Sequence, residues 1–153
     1  MQEEIVYRFT FPNGYYYFGY TRDTKRRWAT EGKIYSGSVV YDFIEKYGWE
    51  NVRKDVLCCM EQSDDNKAVC EKIETELIEL FNDKCFNVRN CNTDSVTMRK
   101  IRKYVDYEIL AKCIRDLSKG EISMNDALCI CNLSLGKFLF AYKKMCGNCS
   151  VLL

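Results

Sequence analysis

Residues 5–20 read IVYRFTFPNGYYYFGY, and this stretch decides the fold of the N-terminal half of the chain. Apolar and aromatic side chains occupy every second position in residues 5–11, as in a strand that is buried on one face. The PNG sequence at residues 12–14 is typical of a tight turn, because Asn and Gly tolerate positive φ. Residues 15–20 then form a second, strongly aromatic strand. The stretch therefore predicts a β-hairpin.

The rest of the N-terminal half combines helical patterns with one more strand. Asp23 or Thr24 can cap a short basic helix that ends at Trp28. An amphipathic helix at residues 39–47 stops at a glycine. The remaining elements are a third strand at residues 52–60, a long helix at residues 66–81 and a short extended segment at residues 85–88. We expect an α+β domain over residues 1–90, in which helices flank a small three-stranded antiparallel sheet.

The C-terminal part of the chain shows helical patterns only. A polar stretch at residues 90–97 is typical of a domain boundary, and residues 91–106 are interpreted as a basic linker. Ser123 and Ser134 can each cap one of the short helices predicted beyond it. These helices cover residues 108–118, 123–131 and 135–145. Residues 107–153 are therefore expected to form an all-α segment behind the first domain.

The chain contains no histidine, and this absence excludes several kinds of site. Ser-His-Asp and Cys-His catalysis, histidine metal sites and histidine-based nuclease motifs cannot operate. The net charge of +1 is unevenly distributed, since residues 1–90 carry 13 basic and 16 acidic side chains while residues 91–153 carry 10 and 6. Attraction for phosphate groups is therefore expected first in the C-terminal part.

The cysteines and the hydropathy bear on the location of the protein. The chain has ten cysteines, no long apolar run and no secretory signal, so we expect a cytoplasmic (intracellular) protein with no membrane partner. In a reducing compartment most cysteines act as small buried residues. Cys146 and Cys149 have the spacing of half a zinc knuckle, but Cys129 and Cys131 lie on a predicted helix with poor geometry for the other half. A structural zinc is the minor alternative to free thiols.

Six short motifs resemble, in the same order, those of the GIY-YIG endonuclease family. They are IVY at residues 5–7, YFG at 17–19, RW at 27–28, YGWENV at 47–52, ETELI at 74–78 and FN at 86–87. Tyr7 and Tyr17 lie ten residues apart on paired strands, which is the arrangement of the family. The resemblance covers residues 4–90 and implies the GIY-YIG nuclease fold and hydrolysis of phosphodiester bonds.

The resemblance also implies a role for each motif residue. Glu74 would hold Mg²⁺ (or Mn²⁺), an ion that needs few protein ligands besides water and a substrate phosphate. Arg27 would bind phosphate oxygens through its planar guanidinium group. Tyr7 would act as the base, and Tyr17 would hydrogen-bond to water or phosphate. Asn87 would either orient the site or close the fold through backbone hydrogen bonds.

Glu31 departs from the family pattern. Many members carry His or Tyr four residues after the arginine, near the attacking water, and the residue at that position here is Glu31. Its carboxylate would act as a base, contribute to metal binding or mark weakened catalysis. Glu31 is therefore included among the candidate catalytic residues.

The C-terminal segment resembles helix-turn-helix units of the resolvase and regulator type. Ala127 occupies the position where these units need a small residue for close helix packing. The resemblance implies that residues 135–144 form the recognition helix, with Lys137, Tyr142 and Lys143 exposed toward DNA. The alternative is a small helical cap that packs on the nuclease sheet and leaves its lysines solvated.

A basic run connects the two parts of the chain. Its cations would either track a phosphate backbone or belong to a solvated helix, and the flanking domains favour contact with DNA. The residues concerned are Arg99, Lys100, Arg102 and Lys103.

The sequence thus predicts a metal-dependent endonuclease that acts on double-stranded DNA and carries DNA-binding helices at its C-terminal end. The first alternative is a catalytically weak family member that acts as a DNA-binding regulator. The second is a protein-interaction module with cysteine-rich helices. The DNA sequence recognised, the number of strands cut and the oligomeric state are left open, and neither a monomer nor a dimer is excluded.

Overall fold

The computed structural model describes residues 2–88 and 94–152. Three antiparallel strands form one sheet in the order β2-β1-β3. The strands are β1 (Glu3–Thr10), β2 (Tyr16–Thr21) and β3 (Arg53–Glu61). In the turn between β1 and β2, Gly14 has a φ of 83° and its N–H donates to the Phe11 carbonyl over 2.9 Å. The hairpin expected from the sequence is confirmed.

Seven α-helices and three short 3₁₀ turns complete the described part of the chain. The α-helices are α1 (Thr24–Trp28), α2 (Val39–Tyr47), α3 (Asp64–Leu80), α4 (Asp94–Tyr104), α5 (Tyr107–Ser118), α6 (Met124–Cys131) and α7 (Leu135–Cys146). The 3₁₀ turns are Lys33–Tyr35, Trp49–Asn51 and Ser150–Leu152. The expected α+β class is therefore confirmed.

Side-chain caps explain where several helices begin. The Asp23 side chain accepts a hydrogen bond from the backbone N–H of Arg26 at the start of α1. Ser123 and Asp126 form a capping box at the start of α6, and Ser134 caps α7. Each cap satisfies an N–H group that has no partner within its helix. These starts are therefore encoded locally, by residues visible in the sequence.

One cluster of buried side chains extends from the N-terminal half into the C-terminal helices. The rings of Phe43 and Phe86 stack with their centroids 3.9 Å apart. Leu135, Phe138 and Leu139 of α7 are fully buried in the same cluster. Helix α7 packs against α2. The helical segment therefore contributes to the same core as the N-terminal half.

The start of α7 lies directly against the segment that follows α3. The N–H of Leu135 donates to the Asn82 carbonyl over 2.9 Å. A Cβ atom at Gly136 would lie 1.9 Å from the Asn87 carbonyl oxygen, far inside van der Waals contact. Only glycine permits this approach, so the two segments fit each other at the level of the backbone.

Lys143 is held inside the contact between α7 and α2. Its Nζ lies 2.9 Å from a carboxylate oxygen of Asp42 and 3.3 Å from the Ser38 carbonyl oxygen. The Cys149 thiol donates to the same carboxylate over 3.2 Å. Burial and the neighbouring Asp42 raise the pKa of Cys149 to about 12, so the thiol keeps its proton. The expectation that Lys143 is exposed toward DNA is wrong, because the lysine is engaged in a largely buried ion pair.

Residues 94–104, which belong to the expected linker, form helix α4. Ile101 is buried on one side of this helix. The four cations of the basic run, Arg99, Lys100, Arg102 and Lys103, are exposed. The boundary expected between residues 90 and 91 lies outside the described residues.

No helix in residues 2–88 or 94–152 has the length and apolar character needed to cross a membrane. The nine cysteines in these ranges are free thiols, and five of them are buried, as expected for small apolar residues. Cys146 is exposed, whereas Cys149 contacts Asp42. Within the same ranges, no group of three or more Cys, Asp or Glu side chains is arranged to hold a metal ion.

Candidate active site

The register of the hairpin places the Tyr7 ring over a glycine of the neighbouring strand. Tyr7 pairs with Gly19, and a Cβ atom at Gly19 would lie 2.3 Å from the Cζ and hydroxyl oxygen atoms of Tyr7. A glycine is therefore needed for the ring to lie there. Tyr7 is only 1% exposed, and its hydroxyl oxygen lies 2.6 Å from that of Tyr35.

Tyr35 also lines a surface cavity of about 620 Å³. The other polar residues of its wall include Tyr17 of β2, Glu74 of α3 and Asn87 beyond α3. Phe140 of α7 lines the same cavity. Five segments that are distant in sequence thus meet in one place, and three of the predicted site residues are among them.

The residues that line the cavity carry several hydroxyl groups and a single carboxylate. Glu74 is the one acidic side chain among the described residues that line it, and the hydroxyl groups belong to Tyr17, Tyr35, Ser36, Ser38 and Thr75. Mg²⁺ and Mn²⁺ prefer oxygen ligands, and Mg²⁺ usually keeps several waters. The donor set therefore fits a divalent cation held by Glu74 together with water and a substrate phosphate.

Arg27 lies beside the cavity, at the end of α1. Its guanidinium carbon is 5.9 Å from the ring centroid of Tyr35, and its Nη2 donates to the Tyr20 carbonyl over 3.4 Å. Arg27 lines a smaller depression of about 300 Å³, and Ile34 borders both this depression and the cavity. A permanent positive charge is therefore placed beside the Tyr35 ring.

Burial raises the pKa of all three tyrosines at this site, Tyr7, Tyr17 and Tyr35, above the usual value. For Tyr7, the Tyr35 hydroxyl and the charge of Glu74 act in the same direction, and the charge of Arg27 opposes them. The three hydroxyl groups therefore keep their protons at neutral pH and can donate hydrogen bonds. These surroundings do not favour the role of base that was expected for Tyr7.

Asn87 closes the fold through both ends of its side-chain amide. Its Oδ1 accepts from the Phe18 N–H over 2.9 Å, and its Nδ2 donates to the Phe18 carbonyl over 2.7 Å. The neighbouring Cys85 forms a parallel bridge with Tyr16, as expected for an extended closing segment. Of the two alternative roles of Asn87, the structure contains the fold-closing one, and it fixes one wall of the cavity.

Glu31 is not among the residues that line the cavity. Helix α1 ends at Trp28, and Glu31 occupies the left-handed region with a φ of 50°. Its side chain is exposed. The proximity to the cavity that the spacing from Arg27 suggested is not observed, because the helix does not continue to residue 31.

Tyr35 and Phe140 line the cavity but were not identified from the sequence. Tyr35 lies eight residues after Arg27, in a 3₁₀ turn that follows Gly32, whose φ is 86°. The family pattern places a site residue four residues after Arg27, at Glu31, and therefore does not identify Tyr35. The available signal was an aromatic residue in the Gly- and Ser-rich stretch at residues 31–38, which follows α1. Phe140 gave no comparable signal, because residues 135–144 were interpreted as a DNA-recognition helix.

The other residues expected to bind DNA lie on α4 and α7. Lys137 and Tyr142 of α7 are half-buried, and the Lys137 Nζ lies 6.0 Å from the ring centroid of Tyr104 on α4. The basic run of α4 is exposed. The expected recognition helix is therefore largely a core helix, and the exposed cations lie on the helix that was expected to be a linker.

No protein-family model matches the chain. Searches of curated proteins and of solved structures also found no significant match. The functional assignment therefore rests on the residues and the geometry of the chain itself.

Proposed function

We propose that the protein is a metal-dependent endonuclease of the GIY-YIG type that hydrolyses phosphodiester bonds in double-stranded DNA. The observation that supports it most is the cavity shared by Tyr17, Tyr35 and Glu74, with Arg27 beside it. Phosphodiester hydrolysis needs an oriented water and positive charge near the phosphoryl oxygens. The side chains at this cavity can provide both.

Glu74 is the residue that would hold Mg²⁺ or Mn²⁺. When bound, such an ion supplies positive charge to the phosphoryl oxygens as negative charge develops in the transition state. Arg27 contributes a second, permanent positive charge and binds phosphate oxygens through its planar set of donors. The basic side chain and the carboxylate therefore have complementary roles toward one phosphate group.

The tyrosines orient the attacking water. Tyr17 and Tyr35 present protonated hydroxyl groups to the cavity, and each hydroxyl can donate and accept. Tyr7 is buried behind Tyr35 and positions it through the hydrogen bond between their hydroxyls. The water oxygen forms a bond to phosphorus as the bond from phosphorus to the opposite ester oxygen breaks. The attacking water releases one proton to the solvent, and the leaving oxygen takes up one proton from the solvent.

A plasmid-nicking assay tests the proposed function. Supercoiled plasmid should become nicked or linear when the protein and Mg²⁺ are present, and EDTA should prevent this. Glu74→Gln should lower the rate by about 10³-fold or more, because a main source of transition-state charge is lost. The matched control is Glu76→Gln, which removes an exposed carboxylate of the same helix that pairs with Lys72. This control should stay within about twofold of the wild type.

The alternatives give different outcomes in the same experiments. Undiminished nicking by Glu74→Gln would remove this residue from the site. A wild-type protein that binds duplex DNA in EDTA but never cuts it with Mg²⁺ would contradict the proposal and favour a DNA-binding regulator. A protein that neither binds nor cuts DNA would favour an interaction module.

A further inference from the structure

Two tyrosine rings are exposed where α4 meets α5. Tyr104, the last residue of α4, is 69% exposed, and Tyr107, the first residue of α5, is 51% exposed. Every other aromatic ring in the described residues is buried or half-buried. Large apolar side chains that share an exposed patch are typical of an interaction surface. The two rings therefore indicate a partner with a flat, partly apolar surface.

Basic side chains surround these rings. The Arg102 guanidinium carbon lies 5.6 Å from the ring centroid of Tyr107, and the Lys137 Nζ lies 6.0 Å from that of Tyr104. The eight residues that end at Tyr104 include four basic and no acidic side chains. Asp106, which lies between the two tyrosines in the sequence, accepts a hydrogen bond as the N-cap of α5. The patch is therefore aromatic and cationic at the same time, which favours a partner that carries negative charge.

We propose that Arg102, Tyr104, Tyr107 and Lys137, together called the tyrosine platform, bind unpaired nucleotides of a DNA strand. Every base has a π-face that can stack on a tyrosine ring, and the phosphates between bases attract the cations. A continuous duplex keeps its base faces inside the stack and would use the cations alone. The inference rests on the proposed function and narrows its substrate to DNA that carries a single-stranded segment.

Helix α7 links the tyrosine platform to the candidate active site. Lys137 and Phe140 are three residues apart on α7, so their Cβ atoms lie about 5–6 Å apart on the same helix surface. Lys137 belongs to the platform, and Phe140 lines the cavity that contains Glu74. A DNA strand bound to the platform therefore extends toward the cavity. The scissile phosphate then lies close to the junction between single-stranded and duplex DNA.

A binding experiment tests the stacking contact without interference from cleavage. The full chain carrying Glu74→Gln is titrated in EDTA, and fluorescence anisotropy reports the binding of three labelled probes. These are a short oligothymidylate, an abasic strand with the same number of phosphates, and a blunt duplex of that length. Oligothymidylate should bind at least about tenfold more tightly than the abasic strand, because stacking adds to affinity at each base. Equal affinity for these two strands would overturn the proposal.

Substitutions in the platform identify the rings as the source of the preference. Combining Tyr104→Ala with Tyr107→Ala should weaken oligothymidylate binding by about 10- to 100-fold and leave abasic-strand binding within about twofold. The matched double substitution to Phe keeps both rings and should retain the parent affinity. Leu80→Ala, at a 72% exposed residue of α3, serves as a surface control and should change neither. A Phe variant as weak as the Ala variant would contradict stacking.

A cleavage assay with Mg²⁺ distinguishes failure of the platform from failure of the nuclease. The wild-type protein should cut a duplex with a single-stranded tail about tenfold faster than a blunt duplex, and the double alanine variant should lose this preference. If tailed DNA is bound through the rings but never cut, the proposed function fails and the platform stands. If both duplexes are cut equally, the platform fails and the nuclease stands. Loss of binding to anionic phospholipid vesicles in the alanine variant, without a preference for oligothymidylate, would assign the patch to a membrane surface instead.

Discussion

The hairpin and helix α7 contribute to the same core in different ways. In the hairpin, Tyr17 lines the cavity, and Tyr7 is hydrogen-bonded to Tyr35, which also lines it. In α7, Leu135, Phe138, Leu139 and Ala141 are buried, and Lys143 is neutralised by Asp42. The hairpin supplies groups that can act on a substrate, whereas α7 supplies a cavity wall and an anchor. The comparison shows that the helical segment is part of the framework of the site.

Removal of residues 91–153 should have the largest effect on this arrangement. The truncated chain loses Leu135, Phe138 and Leu139 from the core, at about 1.5–3 kcal/mol for each buried side chain. This loss is comparable to the whole free energy of unfolding of a typical domain, about 5–15 kcal/mol. Residues 1–90 alone should therefore lack a cooperative unfolding transition, as measured by circular dichroism. A sharp transition would instead support two independent domains.

Lys143→Ala should destabilise the fold more than a substitution at any exposed lysine. It leaves the buried Asp42 carboxylate without its cation, and we expect a loss of about 2–3 kcal/mol in the free energy of unfolding, below the full cost of a broken buried pair because Lys143 is 21% exposed. Urea denaturation measures the loss. Lys119→Ala, at an exposed site, should cost less than about 0.5 kcal/mol. If Lys143→Ala left the stability unchanged and weakened DNA binding, the interpretation of α7 as a recognition helix would be supported instead.

Tyr35→Phe should lower single-turnover cleavage by about 10- to 100-fold, because it removes a hydroxyl that orients the water. Tyr15→Phe, which changes a half-buried tyrosine outside the cavity lining, should leave the rate within about twofold of the wild type. A Tyr35→Phe variant as fast as the wild type would leave water orientation to Tyr17.

The same substitution has a consequence for stability at alkaline pH. Burial raises the pKa of Tyr35 in the folded protein above the unfolded value of about 10. Its contribution to stability is therefore fully present below about pH 10 and is lost as the pH rises further. Denaturation curves between pH 9 and pH 11, a range of about two units around that value, should show a smaller fall in stability for Tyr35→Phe than for the wild type.

Glu31 should give the smallest effects. Its exposed carboxylate lies outside the cavity lining, so Glu31→Ala should change the single-turnover rate by less than about threefold, against the 10²–10⁴-fold loss of a proton-transfer group. Glu31→Gly should raise the free energy of unfolding by about 0.5–1 kcal/mol, since a side chain at a φ of 50° is strained. A large loss of rate in the alanine variant would return Glu31 to the site.

The sequence predicted the elements well where their ends are encoded locally. Asp23, Ser123 and Ser134 begin helices because their side chains bond to nearby N–H groups. Strand β1 was predictable because its apolar residues alternate, and β2 because a strongly aromatic run follows a turn signal. The motifs grouped Tyr17, Glu74 and Asn87 as site residues, and all three line one cavity. The strand register and the closing segment fix the positions of Tyr17 and Asn87.

The features that sequence reasoning missed depend on contacts between distant segments. The helical period of the sequence predicts the length of α7. Which face of α7 is buried depends on the fit of Gly136 against the Asn87 carbonyl and on the ion pair between Lys143 and Asp42. Tyr35 reaches the Tyr7 hydroxyl because a left-handed Gly32 redirects the chain after α1. Neither contact leaves a periodic pattern in the sequence. Helix α4 was taken for a linker because its charged face dominates its composition.

The fit of Gly136 against the Asn87 carbonyl bears on how the chain is made. A growing chain leaves the ribosome from its N-terminus, so every motif residue has emerged before α7 exists. At about 5–20 residues per second, several seconds separate Asn87 from Phe140. During that interval the cavity lacks its α7 wall. The nascent chain therefore carries the full set of motif residues without a complete cavity, and we expect it to acquire the proposed activity only after α7 has docked.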